Sequence, residues 1–292
     1  MGNVGSEDAM QETRAGMTRR EVLRAGLSLA AGTVLARIGL ATQQPQKEKR
    51  RMVHIGIQSY CLRDLPWQQA MERAKALGVN AWEVFPGHIP TTLDENADKA
   101  RSTLAAAKMA MPNYGVIALG DDPEADRKQF EFAKRMGISV LTADPNPAQM
   151  QRVSALVQEF GIAVAIHNHG PKARYDRVED VERVLAGTPA KIGACVDTGH
   201  FIRSGEDPVA ALRAFGKKVL AIHLKDYLDV DTETVLGEGK LDVDATMRAV
   251  KEIGFEGLIA VEYEPDPKGE GDALKRCLEI ARASARKAGL IE

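Results

Sequence analysis

The chain of 292 residues lacks the features that define several protein classes. Its three cysteines, Cys61, Cys195 and Cys277, form neither a CxxC pair nor a disulfide framework, so we expect buried thiols. Outside the N-terminal region no apolar run of about 20 residues is free of charge, which excludes a multispanning membrane protein. A net charge of only -2 gives no field for collecting polyanions, so we expect no nucleic-acid partner.

What the chain does contain is the composition of a globular protein, with 44% hydrophobic and 27% charged residues. Residues 1–46 stand apart as a predicted signal peptide and linker. The sequence Thr-Arg-Arg at 18–20 precedes a mildly apolar run, 25–36, and Gly-Leu-Ala at 39–41 offers small residues for cleavage.

Paired arginines ahead of a weakly hydrophobic run resemble a twin-arginine (Tat) signal. The resemblance implies export to the periplasm or beyond of a protein that has already folded. An apolar core of this length is too short to span a bilayer comfortably, so we expect no stable membrane insertion after processing. An amphipathic N-terminal helix or a membrane anchor is the alternative.

Residues 47–292 alternate short β-rich runs with amphipathic runs of helical length. The predicted strands are 53–59, 80–85, 113–119, 138–143, 162–168, 191–197, 218–224 and 257–263. The predicted helices are 67–77, 93–109, 123–136, 147–160, 177–186, 207–215, 243–254 and 270–288. Eight βα units in about 240 residues predict a single closed (β/α)8 barrel. A doubly wound sheet is the alternative, but no GxGxxG follows the first strand.

Side chains alternate between the faces of the later strands. In 219–225, Leu220, Ile222 and Leu224 form one apolar face, while the other face becomes polar at His223 and Lys225. This pattern predicts a functional site at the carboxyl ends of the strands. Histidines and carboxylates collect there: His88, His167, His169, His200, His223, Glu83, Asp144, Asp197 and Glu262. Burying so many ionisable groups uncompensated costs several kcal/mol per charge, so a divalent cation is expected; these ligands suit Mn, Co, Fe or Zn.

Four segments resemble strands 5 to 8 of the xylose isomerase-like TIM barrels, and within them the sugar phosphate isomerase/epimerase group. They are Ala-Ile-His167-Asn-His169-Gly-Pro, Val-Asp197-Thr-Gly-His200, Ile-His223-Leu-Lys225-Asp226 and Val-Glu262-Tyr-Glu264. The Gly-Glu-Gly run at 237–239 also matches that group, and the resemblance covers about residues 50–290.

The resemblance implies one divalent metal ion, with Mn, Co, Mg and Zn as candidates. Asp197, His223 and Glu262 match the family's ligands on strands 6, 7 and 8. The strand-5 ligand is usually Glu, and here the position is His167. Glu262 is then the only carboxylate left of the family's acid/base pair. His167 is a candidate both for a metal ligand and for a base whose pKa lies near neutrality.

The remaining candidates surround this centre. The proton acceptor is predicted among Glu262, His167 and His169, and Lys225 is expected at a substrate oxyanion or, alternatively, on the rim surface. The expected substrate contacts are Glu83, His88 and His200, and the alternative for Glu83 is a salt bridge inside the barrel. Asp144 is expected to cap the fourth helix. Asp226 is expected to support the metal ligands or to cap a helix.

The predicted function is metal-dependent isomerisation or epimerisation of a small carbohydrate, through an enediolate formed next to a carbonyl. One alternative is a lyase or hydrolase of 3-keto-glycosides that uses the same site, and another is a non-catalytic sugar-binding barrel. Abasic-site DNA cleavage is disfavoured by the acidic charge and by Asp144 on strand 4. The resemblance leaves homo-oligomerisation open, since family members often form dimers or tetramers.

Overall fold

The computed structural model describes residues 53–292, so the predicted leader, residues 1–46, lies outside the described residues. Eight strands follow one another along the chain: β1 Val53–Gln58, β2 Ala81–Val84, β3 Ala110–Leu119, β4 Val140–Pro145, β5 Ala163–His167, β6 Ile192–Asp197, β7 Val219–Leu224 and β8 Gly257–Val261. Each is parallel to its neighbours, and the sheet closes where β1 pairs with β8, from Val53–Gly257 to Ile57–Val261. The predicted (β/α)8 barrel is confirmed.

Nine helices connect and cover these strands in the described part of the chain: α1 Trp67–Ala76, α2 Glu95–Ala106, α3 Pro123–Met136, α4 Met150–Phe160, α5 Val178–Leu185, α6 Thr198–Arg203, α7 Pro208–Phe215, α8 Val243–Ile253 and α9 Ala273–Ala288. Local sequence sets their ends. Asp122 accepts hydrogen bonds at the start of α3, and Pro123 stands in its first turn. Gly137 ends α3 at φ 77°, where a side chain would be strained.

The barrel interior is built from small side chains, among them Ala165, Cys195 and Ala221. A Cβ at Gly193 would lie 2.0 Å from the carbonyl oxygen of Lys218, so the two strands approach closely there. Next to this contact the β6–β7 register shifts between Ala194 and Cys195. The shift turns Leu220 against the interior cluster, so its predicted place on the outer face is wrong.

Other differences from the sequence analysis lie in loops. The helix α6 and a small hairpin, Asp226–Tyr227 with Glu233–Thr234, were not predicted. The expectation that Asp144 caps the fourth helix is wrong, because β4 continues to Pro145 and Asn146 caps the following 3-10 turn. All three cysteines are buried free thiols, as predicted. Within residues 53–292 no helix is long and apolar enough to cross a membrane.

Candidate metal centre and active site

Four predicted ligands meet where β5 to β8 end. His167 and Asp197 are the last residues of β5 and β6, His223 is the penultimate residue of β7, and Glu262 follows β8. All four are buried, with Asp197 and His223 fully enclosed. Parallel strands bring their carboxyl ends to one side of a barrel, and this geometry gathers residues that are far apart in the sequence.

Asp197, His223 and Glu262 form a group in which the potential ligand atoms lie within 4.8 Å of one another. His223 Nδ1 is 3.3 Å from Glu262 Oε2 and 3.8 Å from Asp197 Oδ2. Within residues 53–292, His223 Nδ1 and Asp197 Oδ2 are buried and have no hydrogen-bond partner. Leaving a buried polar atom unsatisfied costs about 1–3 kcal/mol, and a divalent cation bound by both atoms would remove that cost. The residues therefore fit a metal ion.

His167 adjoins this group through Asp197. Its Nε2 lies 3.6 Å from Asp197 Oδ2, so the fourth predicted ligand is placed to extend the set. Two imidazoles with two carboxylates are a donor set suited to Mn, Co, Fe or Zn.

Glu83 holds His223 from the far side of the barrel. Glu83 Oε1 lies 3.0 Å from His223 Nε2, and the other side of the carboxylate accepts from Asn113 and Thr142. Gln58 Nε2 also donates to Oε1, at 3.0 Å. Because a carboxylate only accepts, His223 carries a hydrogen on Nε2, so Nδ1 is the nitrogen that faces Asp197 and Glu262 and that could bind a metal ion. Burial alone would lower the pKa of His223, but contacts with Cys195, Glu83 and Glu262 raise it well above its usual value, so a metal ion at Nδ1 would compete with a proton.

These hydrogen bonds fix the position of Glu83 inside the barrel. Its predicted role in binding the substrate stays a prediction. The carboxylate is fully buried and is not part of the cavity wall, where substrate contact was expected. The alternative prediction, an ionic contact inside the barrel, matches the bond to His223.

Lys225 is also buried, with 1% of its side chain exposed, so the alternative of a rim surface lysine is wrong. Its Nζ is 3.3 Å from Glu262 Oε2 and pairs closely with Glu264. Burial alone would lower the pKa of Lys225, but Glu262, Asp197 and Glu264 raise it well above its usual value. Burial would likewise raise the pKa of Glu262, but Lys225 and His223 bring it down to about 2. Both groups are therefore charged at neutral pH.

His169 and His200 stack on each other with ring centroids 4.1 Å apart, and both line the cavity above the metal centre. The backbone N–H of His200 donates to Asp197 Oδ1 at 2.8 Å, which fixes the start of α6. Desolvation lowers the pKa of His169, and the neighbouring His167 lowers it further. His169 is thus neutral at pH 7 and open to the cavity.

Asn168, for which the sequence pattern predicts no role, joins the ends of β5 and β6. Its side chain accepts the Asp197 N–H at 2.8 Å and donates to the Asp197 carbonyl at 2.9 Å. These two bonds clamp the ends of β5 and β6 together. The alternation along β5 predicts inward-facing histidines on either side of Asn168 and gives no signal for Asn168 itself.

The cavity has a volume of about 690 Å³. Besides His167, His169, His200, Lys225 and Glu262, several residues that sequence analysis missed line its wall: Tyr60, Phe85, Arg174, Arg203 and Tyr227. Arg174 lies 3.5 Å from Asp144, which also lines the cavity. Arg203 follows His200 by three residues, a helical spacing that would have signalled contact had 198–203 been predicted as a helix.

Two other candidates support loops. His88 is buried outside the cavity wall, with Nδ1 2.9 Å from Ser59 Oγ and Nε2 3.2 Å from the Leu62 carbonyl. In this geometry His88 therefore does not reach a substrate in the cavity, although a substrate contact was predicted for it. The carboxylate of Asp226 accepts four backbone N–H groups, those of Tyr227, Gly237, Gly239 and Leu241. It fixes the loop that contains the Gly-Glu-Gly run.

A family model described as xylose isomerase-like TIM barrel matches residues 71–282. The chain belongs to the xylose isomerase-like TIM barrel family. A solved structure from Parabacteroides distasonis resembles this barrel with a TM-score of 0.63 and 28% identity, over 79% of this chain and 98% of that one. The structure of an L-ribulose 3-epimerase resembles it with a TM-score of 0.64 and 16% identity, over 82% and 98%, which shows the fold alone.

Two curated relatives of this family member are similar over shorter stretches. The rhizopine catabolism protein MocC of Rhizobium meliloti is 31% identical over 128 residues, which are 37% of this chain and 39% of that protein. An inosose dehydratase of Lacticaseibacillus casei is 28% identical over 137 residues, 40% and 46% of the two chains. The match thus spans less than half the length of these relatives.

Proposed function

We propose that this xylose isomerase-like barrel is a divalent-metal-dependent sugar isomerase or epimerase, which removes a proton from the carbon next to a carbonyl. The observation that carries the proposal is a pair of buried polar atoms beside Glu262, Asp197 Oδ2 and His223 Nδ1, that have no hydrogen-bond partner among residues 53–292. Glu262, whose ligand atom lies within 4.8 Å of theirs, lines a cavity of about 690 Å³, which is large enough for a small carbohydrate.

Asp197, His223 and Glu262 would hold a single ion, with His167 as a fourth ligand, and Mn, Co, Mg and Zn are the candidates. An ion there would supply Lewis-acid polarisation of the substrate carbonyl, which acidifies the neighbouring C–H bond. Lys225 remains cationic at the cavity wall and is placed to pair with the developing negative charge on oxygen.

Besides His167, which the proposal assigns to the metal ion, two groups on the cavity wall can take the proton. Glu262 is ionised, because its pKa is about 2. His169 is a neutral imidazole, whose basicity is closer to that of an effective base at neutral pH. Return of the proton to the opposite face of the same carbon gives an epimer. Return to the neighbouring carbon gives the aldose–ketose isomer.

A second candidate is elimination, favoured by the similarity to inosose dehydratases. The same first step leaves an enediolate, whose electron pair then expels a hydroxyl from the β carbon. The hydroxyl takes a proton from an acid such as the imidazolium of His169 and leaves as water. With a 3-keto-glycoside the leaving group is the aglycone alcohol, which corresponds to the lyase alternative.

Solvent deuterium uptake tests the shared step. The full chain, loaded with Mn²⁺, is incubated in D2O with ketoses, aldoses, an inosose and a 3-keto-glycoside. We expect metal-dependent incorporation next to the carbonyl, lost in Glu262→Gln and His223→Ala. His54→Asn, near the start of β1 at the other end of the barrel, is the matched control and retains exchange.

The product then identifies the branch: an isomer or epimer supports the first candidate, and a dehydrated ketone supports the second. Stoichiometric metal binding without exchange into any of these compounds would contradict both and support simple sugar binding.

Export through the twin-arginine route remains a separate proposal, supported by the arginine pair at 19–20, the mildly apolar run 25–36 and the small residues at 39–41. Replacing both arginines with lysine is expected to retain the protein in the cytoplasm. Fractionation of the producing cells measures this.

A further inference from the structure

We propose that Arg203 is a positioning residue that keeps His200 in the tautomer with hydrogen on Nε2, so that His200 donates a hydrogen bond into the cavity and does not ligate a second metal ion. The part that concerns ions rests on the metal site proposed above. The part that concerns the tautomer does not.

The tautomer follows from one contact. Arg203 Nη1 lies 3.1 Å from His200 Nδ1. A guanidinium has five donors and no acceptor, so Nδ1 must accept. A neutral imidazole has one hydrogen, which therefore sits on Nε2. A protonated imidazole would present an N–H at Nδ1 and could not make this bond.

The guanidinium is itself fixed by its surroundings. Arg203 Nε donates to the Val230 carbonyl at 2.8 Å, and the guanidinium carbon lies 5.3 Å from the centre of the Tyr227 ring. On another side Gly170 allows close approach, because a Cβ there would lie 2.6 Å from Nη1 of Arg203. The hairpin and the loop after β5 thus hold the donor that sets the His200 ring.

The bond between Arg203 and His200 affects a second group of potential metal ligands. His167, Asp197 and His200 also have potential ligand atoms within 4.8 Å of one another, and His200 Nε2 is 3.8 Å from Asp197 Oδ2. A histidine ligand needs a lone pair on the coordinating nitrogen. With hydrogen on Nε2, that nitrogen has no free lone pair. Moving the hydrogen to Nδ1 would place the Nδ1–H group against the N–H donor of Arg203. Arg203 therefore closes this second group to an ion and leaves His200 as a donor for a ligand oxygen.

Imidazole NMR tests the tautomer directly. Long-range proton–nitrogen spectra of the ¹⁵N-labelled full chain are recorded without metal, and His200→Gln assigns the His200 signals. We expect an unprotonated Nδ1 and a protonated Nε2 in the wild type. Arg203→Met keeps the aliphatic stem but removes the donors, and we expect a shift towards a mixture of tautomers.

Arg174→Met is the matched control. Arg174 lines the same cavity but contacts Asp144, so its loss is expected to leave the His200 signals unchanged. A wild-type spectrum with a protonated Nδ1 overturns the proposal, and this test needs no variant to fold. An unchanged tautomer in Arg203→Met overturns it as well.

Zn²⁺ titration tests the limit on metal binding. We expect one tightly bound equivalent in the wild type, a second in Arg203→Met, and loss of the second when His200→Gln is added to that variant. Two tight equivalents in the wild type, or no second equivalent in Arg203→Met, would overturn the part that concerns ions. Neither readout requires turnover, so failure of the enolisation chemistry would be seen separately.

Discussion

The two halves of the barrel use their buried polar side chains differently. The ends of strands β5 to β8 supply residues that belong to overlapping groups of potential metal ligands: His167, Asp197, His223 and Glu262. Strands β1 to β4 carry a network of buried polar side chains that bond to one another: Gln58, Glu83, Asn113 and Thr142. The network reaches the metal centre through the 3.0 Å contact between Glu83 and His223.

A closed barrel can thus place the residues that bind an ion in one half and the residues that orient them in the other. Changes in the β5–β8 half should alter metal affinity directly. Changes in the β1–β4 half should act through the orientation of His223, with smaller effects.

The largest expected effect is that of Asp197→Asn. An asparagine keeps an oxygen that can accept the His200 N–H but removes the charge from the buried ligand. We expect Mn²⁺ affinity to fall by more than the roughly 10–100-fold that loss of a supporting residue causes. Titration with Mn²⁺ measures the dissociation constant, and a change of only a few-fold would show that Asp197 is not a ligand.

Glu83→Gln should come next. An amide nitrogen would face the donors of Gln58, Asn113, Thr142 or His223, so the tautomer of His223 is no longer imposed. We expect Mn²⁺ affinity to fall roughly 10–100-fold and unfolding free energy to fall by about 1–3 kcal/mol. Loss of stability with unchanged metal affinity would show that Glu83 does not influence metal binding through His223.

Lys225→Met is expected to change how Mn²⁺ affinity depends on pH. Lys225 helps to hold the pKa of Glu262 at about 2, below the usual 4.5. A depressed carboxyl pKa stabilises the folded protein above pH 4.5, and this stabilisation is lost as pH falls towards 2.

Without Lys225 the pKa of Glu262 rises, because burial is less opposed, and protons compete with the metal at higher pH. Once the pH is below the new pKa, we expect the affinity of the variant relative to wild type to fall about tenfold for each further unit of pH, because Glu262 of the wild type stays ionised there. Mn²⁺ titrations between pH 8 and pH 5 measure the ratio. A ratio independent of pH would contradict the assigned pairing.

The smallest effect is expected from Thr142→Val. This change removes one donor from Glu83 Oε2 while Asn113 remains. We expect a loss of about 1 kcal/mol in unfolding free energy and little change in metal affinity. Denaturant unfolding measures the first. A metal defect as large as that of Glu83→Gln would show that the β1–β4 network acts as one rigid unit.

Much of this architecture could be predicted because it depends on local patterns. Alternation along each strand and capping residues such as Asp122 define the barrel without knowledge of distant contacts. The proximity of Asp197, His223 and Glu262 follows because parallel strands share one carboxyl edge. Strand register depends on the neighbouring strand as well as on local sequence. The register shift between Ala194 and Cys195 therefore put Leu220 on a different face from the one predicted.

The division of roles inside the site could not be predicted in the same way. An inward glutamate on β2 suits both a substrate contact and a buried ionic bond, and only the approach of His223, 140 residues along the chain, distinguishes them. The contact of Arg203 with His200 requires α6, and the sequence 198–203 carries no strong helical pattern. The assignments of individual residues to metal, substrate and proton transfer stay predictions for the experiments above.

The pairing of β1 with β8 has a consequence for how the protein is made. Val53 finds its partner, Gly257, about 200 residues later in the chain. At synthesis rates of about 5–20 residues per second, the first strand waits about 10–40 s on the ribosome with one edge unpaired. The ring thus cannot close before β8 has been synthesised, and until then β1 can pair only with its other neighbour, β2.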